Sequence, residues 1–246
     1  MKNVFSIQPE QYAAYRPAYP AELLDYILSS VKERRTVWDC GTGTGQIAIQ
    51  LAPYFERVFA SDISEAQLSK AKADEKVEYS MQAAENTDYP DDIFDLIVVA
   101  QAIHWFDFDL FYDEVNRVLR DNGVFAVIGY DRPVVSPEID RIISDFYTRI
   151  VGPFWDPERK YIDEQYKTIP FPFTESLVPE FKNSLQWDLE HFIGYLKTWS
   201  AVKHYEKANG VNPVDVLLPQ LSAYWNDAEE KKIDFPILLR VGRKQE

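Results

Sequence analysis

Three glycines at alternate positions, Gly41, Gly43 and Gly45, follow the apolar stretch "TVWDC" and precede "QIAIQLAPYF". In that second segment Ile47, Ala48 and Leu51 fall on one helical face. A short apolar run before such a turn reads as a strand, and glycines let the backbone turn sharply where a Cβ would obstruct it. The chain is therefore committed early to a strand–turn–helix unit.

The unit recurs. "RVFASDI" reads as a second strand, followed by helical "SEAQLSKAKA" with Ser64 as its cap. "VEYSMQAA" is a third strand and "FDLIVVAQAI" a fourth, whose unbroken 96–100 run predicts burial on both faces. "LFYDEVNRVLRDNG" carries a helical stripe of Phe111, Val115, Val118 and Leu119, with Asn122 and Gly123 expected to stop it before a fifth strand, "GVFAVIGYD". Upstream, "AELLDYILSSV" places Leu23, Leu24, Ile27, Leu28 and Val31 on one face, with Pro20 in the first turn.

Strands alternating with helices predict right-handed crossovers and a mostly parallel sheet with helices on both faces. Ligands of such sheets sit beyond the carboxyl ends of the strands, near the point where strand order reverses. From 136 to about 183 the text turns helical and then aromatic and proline-rich ("GPFWDPERKYIDEQYKTIPFPF"), which suggests an insertion over the sheet edge after strand five. "SLQWDL" is a sixth strand, "EHFIGYLKTWSAV" and "NPVDVLLPQLSAYW" are helices, and "IDFPILLRVGRK" is a seventh strand. The expected organisation is one α/β domain over 1–246: an arm and helix (1–35), a binding core (36–135), an inserted cap (136–183) and closing elements (184–246).

Composition excludes several alternatives. A single cysteine, Cys40, forbids an internal disulfide and any multi-thiolate metal site, and no metal is expected. A formal charge of -14 speaks against a nucleic-acid partner, because phosphate binding needs a basic surface. No run approaches the ~18 apolar residues of a membrane span, and the opening lacks the pattern of a secretory signal, so a cytoplasmic location is the default expectation.

Asp39, directly before the first glycine, narrows the ligand. The loop could be a bare turn, a pyrophosphate cradle, or a seat for a nucleoside joined to an amino acid. Pyrophosphate is repelled by an adjacent carboxylate, and the spacing G-x-G-x-G differs from the dinucleotide G-x-G-x-x-G. A carboxylate there suits an ammonium group, and bare glycine backbone lets a ligand lie close. Asp62, ending strand two, can accept hydrogen bonds from ribose hydroxyls, a role shared with NAD enzymes; its bland alternative is a helix cap.

"WDCGTGTGQIAIQLA", "VFASDIS", "AAENTDYPDDIFDLIVVAQAIHWFD" and "EVNRVLRDNGVFAV" resemble successive motifs of the class I S-adenosylmethionine-dependent methyltransferases. With "YAAYRPAYP" and "AIHWFD", the chain is similar to the type 11 methyltransferases, in particular a subgroup like the trans-aconitate methyltransferases. The resemblance implies a Rossmann-like methyltransferase fold with a seven-stranded sheet and S-adenosyl-L-methionine as cofactor, leaving as S-adenosyl-L-homocysteine. It puts Asp39, Gly41, Thr42, Gly43 and Gly45 under the methionine part, Asp62 on the ribose and Ile63 on the adenine face. Ala84 and Glu85 would border the adenine edge, and Gln101 the sulfonium end.

Tyr15 and Arg16, from the tyrosine-rich arm, would close over the cofactor. Tyr12, Tyr19, His104, Trp105, Tyr130 and Arg132 are the candidates for the acceptor side. His104 is the candidate to orient the nucleophile or take its proton, and Arg16 or Arg132 to grip a carboxylate. Each has a plain structural alternative: an aromatic arm over the core, a packed tryptophan, a surface arginine. The chain lacks the Asn/Asp-Pro-Pro-Tyr/Phe sequence common after strand four in enzymes that methylate nucleic-acid amines. The expected partner is a small-molecule methyl acceptor such as a carboxylic acid. The rivals are a non-catalytic S-adenosylmethionine-binding module and an NAD(P)-dependent oxidoreductase.

Overall fold

Alternation along three strands sorts the core into two layers. In a computed structural model describing residues 15–226 and 229–245, Val37, Leu96, Val98, Val124, Ala126 and Ile128 point to one face of the sheet. Trp38, Cys40, Ile97, Val99, Phe125 and Val127 point to the other. Because successive side chains on a strand point oppositely, strands covered on both faces must be apolar throughout.

The strands are β1 (Thr36–Cys40), β2 (Arg57–Asp62), β3 (Val77–Met81), β4 (Phe94–Ala100), β5 (Leu119–Tyr130), β6 (Thr174–Glu175), β7 (Lys182–Trp187) and β8 (Lys231–Arg243). Their order is β3-β2-β1-β4-β5-β8-β6, with β7 also paired to β8. The first five are mutually parallel, and β8 runs antiparallel to β5, β6 and β7. All seven expected strands are present, and the two-residue β6 makes an eighth. It is too short to carry any periodicity that a sequence could reveal.

One face is covered by α1 (Ala21–Ser29) and α2 (Gln46–Leu51) together with α5 (Pro137–Asp145), α7 (Leu189–Lys197) and α8 (Ser200–Asn209), which follow β5 and β7. The other is covered by α4 (Phe108–Val118), by the one-turn α6 (Lys160–Asp163) and by apolar residues of the 136–183 segment, with Ile162, Tyr166, Ile169 and Phe173 all buried there. Fully buried Trp38 anchors this layer: it stacks on Phe94 at 5.8 Å and donates its indole N–H to Ser61 at 2.9 Å. The 136–183 segment thus contributes to both layers, since Phe146, Tyr147 and Val151 join the first.

Several boundaries differ from expectation. Pro20 is the cap before α1 rather than a first-turn residue. The helix α4 ends at Val118, not at Asn122–Gly123. Leu119 already pairs with Phe94, and the backbone around Asn122 is taken by the chain end: Asn122 donates to Lys244 O, and Lys244 N to Gly123 O. Asn122, at φ 63, is a left-handed kink inside β5. The helix after β2, α3 (Glu65–Leu68), spans one turn, although Ser64 caps it as expected. The segment 190–202 is two helices meeting at Thr198 and Trp199, and 212–225 is a 3₁₀ turn followed by the short α9 (Leu218–Leu221).

The strand β1 lies between β2 and β4, so the crossovers leave it in opposite directions. That switch point opens a crevice beyond the carboxyl ends of the strands. No helix among the described residues is long and apolar enough to cross a membrane.

Candidate active site

The crevice is a cleft enclosing about 870 Å³, part of it open to solvent. Its wall includes Asp39 and Gly41–Gly43 after β1, Asp62 and Ile63 after β2, Gln101 and Trp105 after β4, and Tyr130 ending β5. Arg16 and Tyr19 cover it from the chain's early segment.

The left-handed φ values of Gly41, Gly43 and Gly45 (71°, 58° and 79°) explain why these three positions carry no Cβ. A Cβ on Gly41 would lie 2.6 Å from that of Ala102. One on Gly43 would meet no described atom nearer than Gln67 Oε1 at 3.9 Å, and would occupy cleft space instead. The amides of Gly41 and Thr42 both donate to Ser61 O, so the loop is stitched to β2.

Asp39 is almost wholly buried. Its Oδ2 accepts from Thr42 Oγ1 at 2.5 Å and from Ala48 N at 2.9 Å, while its buried Oδ1 has no hydrogen-bond partner among the described residues. Burial pushes the carboxyl up to about 7, with the nearby Asp62 adding to the rise. An orphaned buried acceptor is costly unless a donor arrives, and a cationic donor would serve best. Asp62 accepts Gly43 N and Ser64 N at 2.9 and 2.8 Å, whereas the cap of α3 is Ser64, so Asp62 shapes the loop before the helix rather than capping it. Desolvation raises its pKa as well.

Two acids at the floor, with Arg16 the cationic side chain on the wall, make the cleft a poor seat for pyrophosphate. The donors and acceptors instead fit a ligand with one ammonium and a ribose: Asp39 Oδ1 for the first, Asp62 for the second, Gly43 for close approach. Arg16 donates to Tyr130 Oη at 2.7 Å and to the Thr198 hydroxyl at 3.0 Å, which ties Arg16 to β5 and the end of α7. Gln101, at φ 55, turns the chain after β4 and donates from Nε2 to Tyr130 O.

The other expected residues are distributed differently. Tyr12 lies outside the described residues. Tyr15 packs edge-on against His191 at 5.1 Å, away from the cleft wall. Ala84 is buried in the core and Glu85 accepts from Asp107 N; neither lines the cleft. Arg132 stacks over Tyr147 at 4.7 Å and lines neither the cleft nor its neighbour, so it is not positioned to clamp a ligand there.

That neighbour is a second pocket of about 470 Å³, sharing Arg16, Gln101 and Trp105 with the cleft. His104 lines it and contacts Tyr166 Oη through Nδ1 at 3.2 Å. Burial, helped by the charge of Arg159, lowers His104 to about 3. A neutral imidazole of that basicity can orient a nucleophile, but it is a weak proton acceptor near pH 7. Arg159, Trp155 and Trp199 also line the pocket; Trp155 stands in the aromatic insertion, whose text reads as a candidate pocket roof, whereas sequence reasoning did not single out Arg159 or Trp199. Of the two arginines expected on the acceptor side, Arg16 lines this pocket and Arg132 does not; Arg159 lies 27 positions beyond Arg132, within "WDPERK", where nothing but folding marks it out.

Comparisons with known proteins agree on one family. The methyltransferase-domain family matches residues 38–127. A Dictyostelium discoideum protein named as a methyltransferase is 33% identical over 244 residues, 96% of this chain and 93% of that one. A Saccharomyces cerevisiae protein named as an S-adenosylmethionine-dependent methyltransferase is 30% identical, over 52% of this chain and 47% of its own. The solved structure of an Anaeromyxobacter dehalogenans protein described as a type II methyltransferase has 37% identity and a TM-score of 0.87, covering 95% of this chain and all of that one.

Proposed function

The chain belongs to the class I S-adenosylmethionine-dependent methyltransferases, and we propose that its cleft holds the cofactor while the adjoining pocket presents a small carboxylic acid for O-methylation. The observation that carries this reading is Asp39 Oδ1, buried at the cleft without a hydrogen-bond partner among the described residues. Asp39 would receive the ammonium of the methionine part. Asp62 would accept the ribose hydroxyls with the lone pairs left over from Gly43 and Ser64. Ile63 would pack on the adenine, and Gln101 and Trp105 would border the reacting end.

When bound, S-adenosylmethionine supplies a methyl on a sulfonium leaving group, so an acceptor oxygen's lone pair forms the O–C bond as the C–S bond breaks and its electrons return to sulfur. A carboxylate is already ionised at neutral pH and needs no base, which agrees with the low basicity of His104. The chain's own tasks are then alignment and water exclusion. Arg16, braced by Tyr130 and Thr198, and Tyr19 close the cleft from above. His104, held by Tyr166, helps shape the acceptor side. The likeness to trans-aconitate methyltransferases is a further reason to test acids first.

Incubation with methyl-labelled S-adenosylmethionine and a panel of small carboxylic acids tests the reading. Base-labile labelled ester is the expected product. Tight cofactor binding with no label on any acid would leave cofactor use standing and remove the acid acceptor.

A further inference from the structure

We infer that Arg159 holds the acceptor's carboxylate, in a tryptophan-walled pocket that selects a planar aromatic acid; the inference rests on the methyl-transfer reading above. Arg159 is the charged group whose surroundings leave most unanswered. Its side chain is only 19% exposed. Its Nε donates to Tyr147 Oη at 2.8 Å, and the nearest carboxylate oxygen, Asp163 Oδ1, is 3.6 Å from that same nitrogen. Among the described residues, neither terminal nitrogen makes a hydrogen bond. A largely buried guanidinium with its fork unengaged is matched by a carboxylate, which accepts two parallel N–H bonds.

The orientation of that fork is set. Trp155 covers the guanidinium at 4.7 Å, and the Tyr147 hydroxyl takes the Nε edge, so the edge formed by the two terminal nitrogens remains. The pocket's other charges are Arg16, already engaged with Tyr130 and Thr198, and Asp156, 3.7 Å from His204 Nδ1. Two arginines face one aspartate there, and His104 is kept neutral by burial and by Arg159 itself. On a chain of charge -14, this is a local attractor for an anion.

The walls define the rest of the ligand. The rings of Trp155 and Trp199 lie 5.6 Å apart at 47°, and with Ile162 and Trp105 they form the apolar part of the wall. Flat conjugated bodies pack on such rings face-on or edge-on, which saturated chains cannot do as well. Shared lining by Gln101 and Trp105 connects this pocket to the cleft, so an acid gripped by Arg159 extends from the cofactor's reacting end.

The test titrates trans-cinnamate, cinnamamide and succinate into protein saturated with S-adenosylhomocysteine, using wild type, Arg159→Gln, Arg159→Lys and Arg132→Gln. Cinnamate is expected to bind wild type. Arg159→Gln is expected to weaken it at least tenfold, Arg159→Lys by less, and Arg132→Gln not measurably. Cinnamamide should be indifferent to Arg159→Gln, and succinate should bind more weakly than cinnamate. Cofactor-product affinity, unchanged in every variant, certifies the fold; Arg159→Met, which keeps an apolar stem beside Trp155, replaces the glutamine variant if that affinity drops. Equal cinnamate affinity with and without the Arg159 guanidinium overturns the assignment, as does absence of cinnamate binding to wild type that binds S-adenosylhomocysteine. Succinate binding as tightly as cinnamate overturns the aromatic selection. Failure of wild type to bind S-adenosylhomocysteine strikes the cofactor reading itself and removes both.

Discussion

Asp62 Oδ2 accepts the N–H of Gly43 at 2.9 Å, so the acid that ends β2 is tied to the glycine loop that ends β1. The same carboxylate accepts Ser64 N through Oδ1 at 2.8 Å. One side chain therefore shapes two loops and still faces the cleft.

Replacing Asp62 with alanine is expected to act on both levels. Orphaning two amides costs about 1–3 kcal/mol of stability, and S-adenosylmethionine affinity is expected to fall at least tenfold. Asp62→Asn, which keeps one acceptor oxygen, should fall between. Denaturant titration and calorimetry on the same preparations separate the two effects; unchanged cofactor affinity in the alanine variant would count against a ribose contact.

Two buried groups should tilt the pH dependence of stability in opposite directions. Burial raises Asp39 from 3.8 to about 7, so the folded protein holds a proton that the unfolded chain has lost. Its contribution is complete below about pH 4 and fades as pH rises towards 7, by about 1.4 kcal/mol per pH unit. Burial, with Arg159, lowers His104 from 6.5 to about 3, so its contribution is complete above about pH 6.5 and fades on acidification. Between pH 4 and 6.5 the two slopes oppose each other. Relative to wild type, Asp39→Asn should make Tm rise more steeply with pH there, and His104→Asn should make it fall. Melting curves at half-unit pH steps check both signs.

Cofactor binding should also expel the Asp39 proton. An arriving ammonium stabilises the carboxylate, so at pH 6 S-adenosylhomocysteine binding is expected to release a proton. Calorimetry in two buffers of different ionisation enthalpy would detect it. Asp39→Asn should abolish that buffer dependence.

The glycines of the loop should separate stability from binding. Gly41→Ala drives a Cβ to 2.6 Å from Ala102 and is expected to cost stability well beyond the ~1–2 kcal/mol of left-handed backbone strain. Gly43→Ala carries the backbone strain alone, because its Cβ enters open cleft. Its larger effect is expected on cofactor affinity. Chemical denaturation and calorimetry would show the two variants ordered oppositely.

A control lies at the far end of β4. Asp95 is buried, accepts Arg35 N and Thr36 N, and meets Arg35 and Arg120 at 3.1 and 2.6 Å. These donors hold its carboxyl below its usual value despite the opposing cost of burial. Asp95→Ala is expected to lower stability by about 2–3 kcal/mol through the orphaned amides and lost charge-assisted bonds. The folded variant should bind S-adenosylmethionine normally.

Local signals account for what could be read in advance. The strands β1 to β5 announce themselves by apolar runs, the loop after β1 by its glycines, and α3 by Ser64, which does accept from Gln67 N. Each depends on neighbours within a few positions. Asn122–Gly123 has the chemistry of a helix stop, yet the helix ends four residues earlier because Leu119 finds Phe94 and Asn122 finds Lys244. Those partners are remote in sequence, and no local rule anticipates them. Likewise Arg132 and Arg159 are indistinguishable as text; packing puts the first over Tyr147, clear of the cleft, and the second beside Trp155 in the pocket.

By itself the chain's text determined an α/β sheet with a glycine turn flanked by two acids, because period, turn chemistry and charge are encoded within short windows. Tertiary structure alone decided which oxygen of Asp39 is left without a donor among the described residues, how far burial lowers the basicity of His104, and which arginines face the second pocket. Those properties come from burial and from neighbours tens of residues away, and desolvation has no value until the chain has closed around the group.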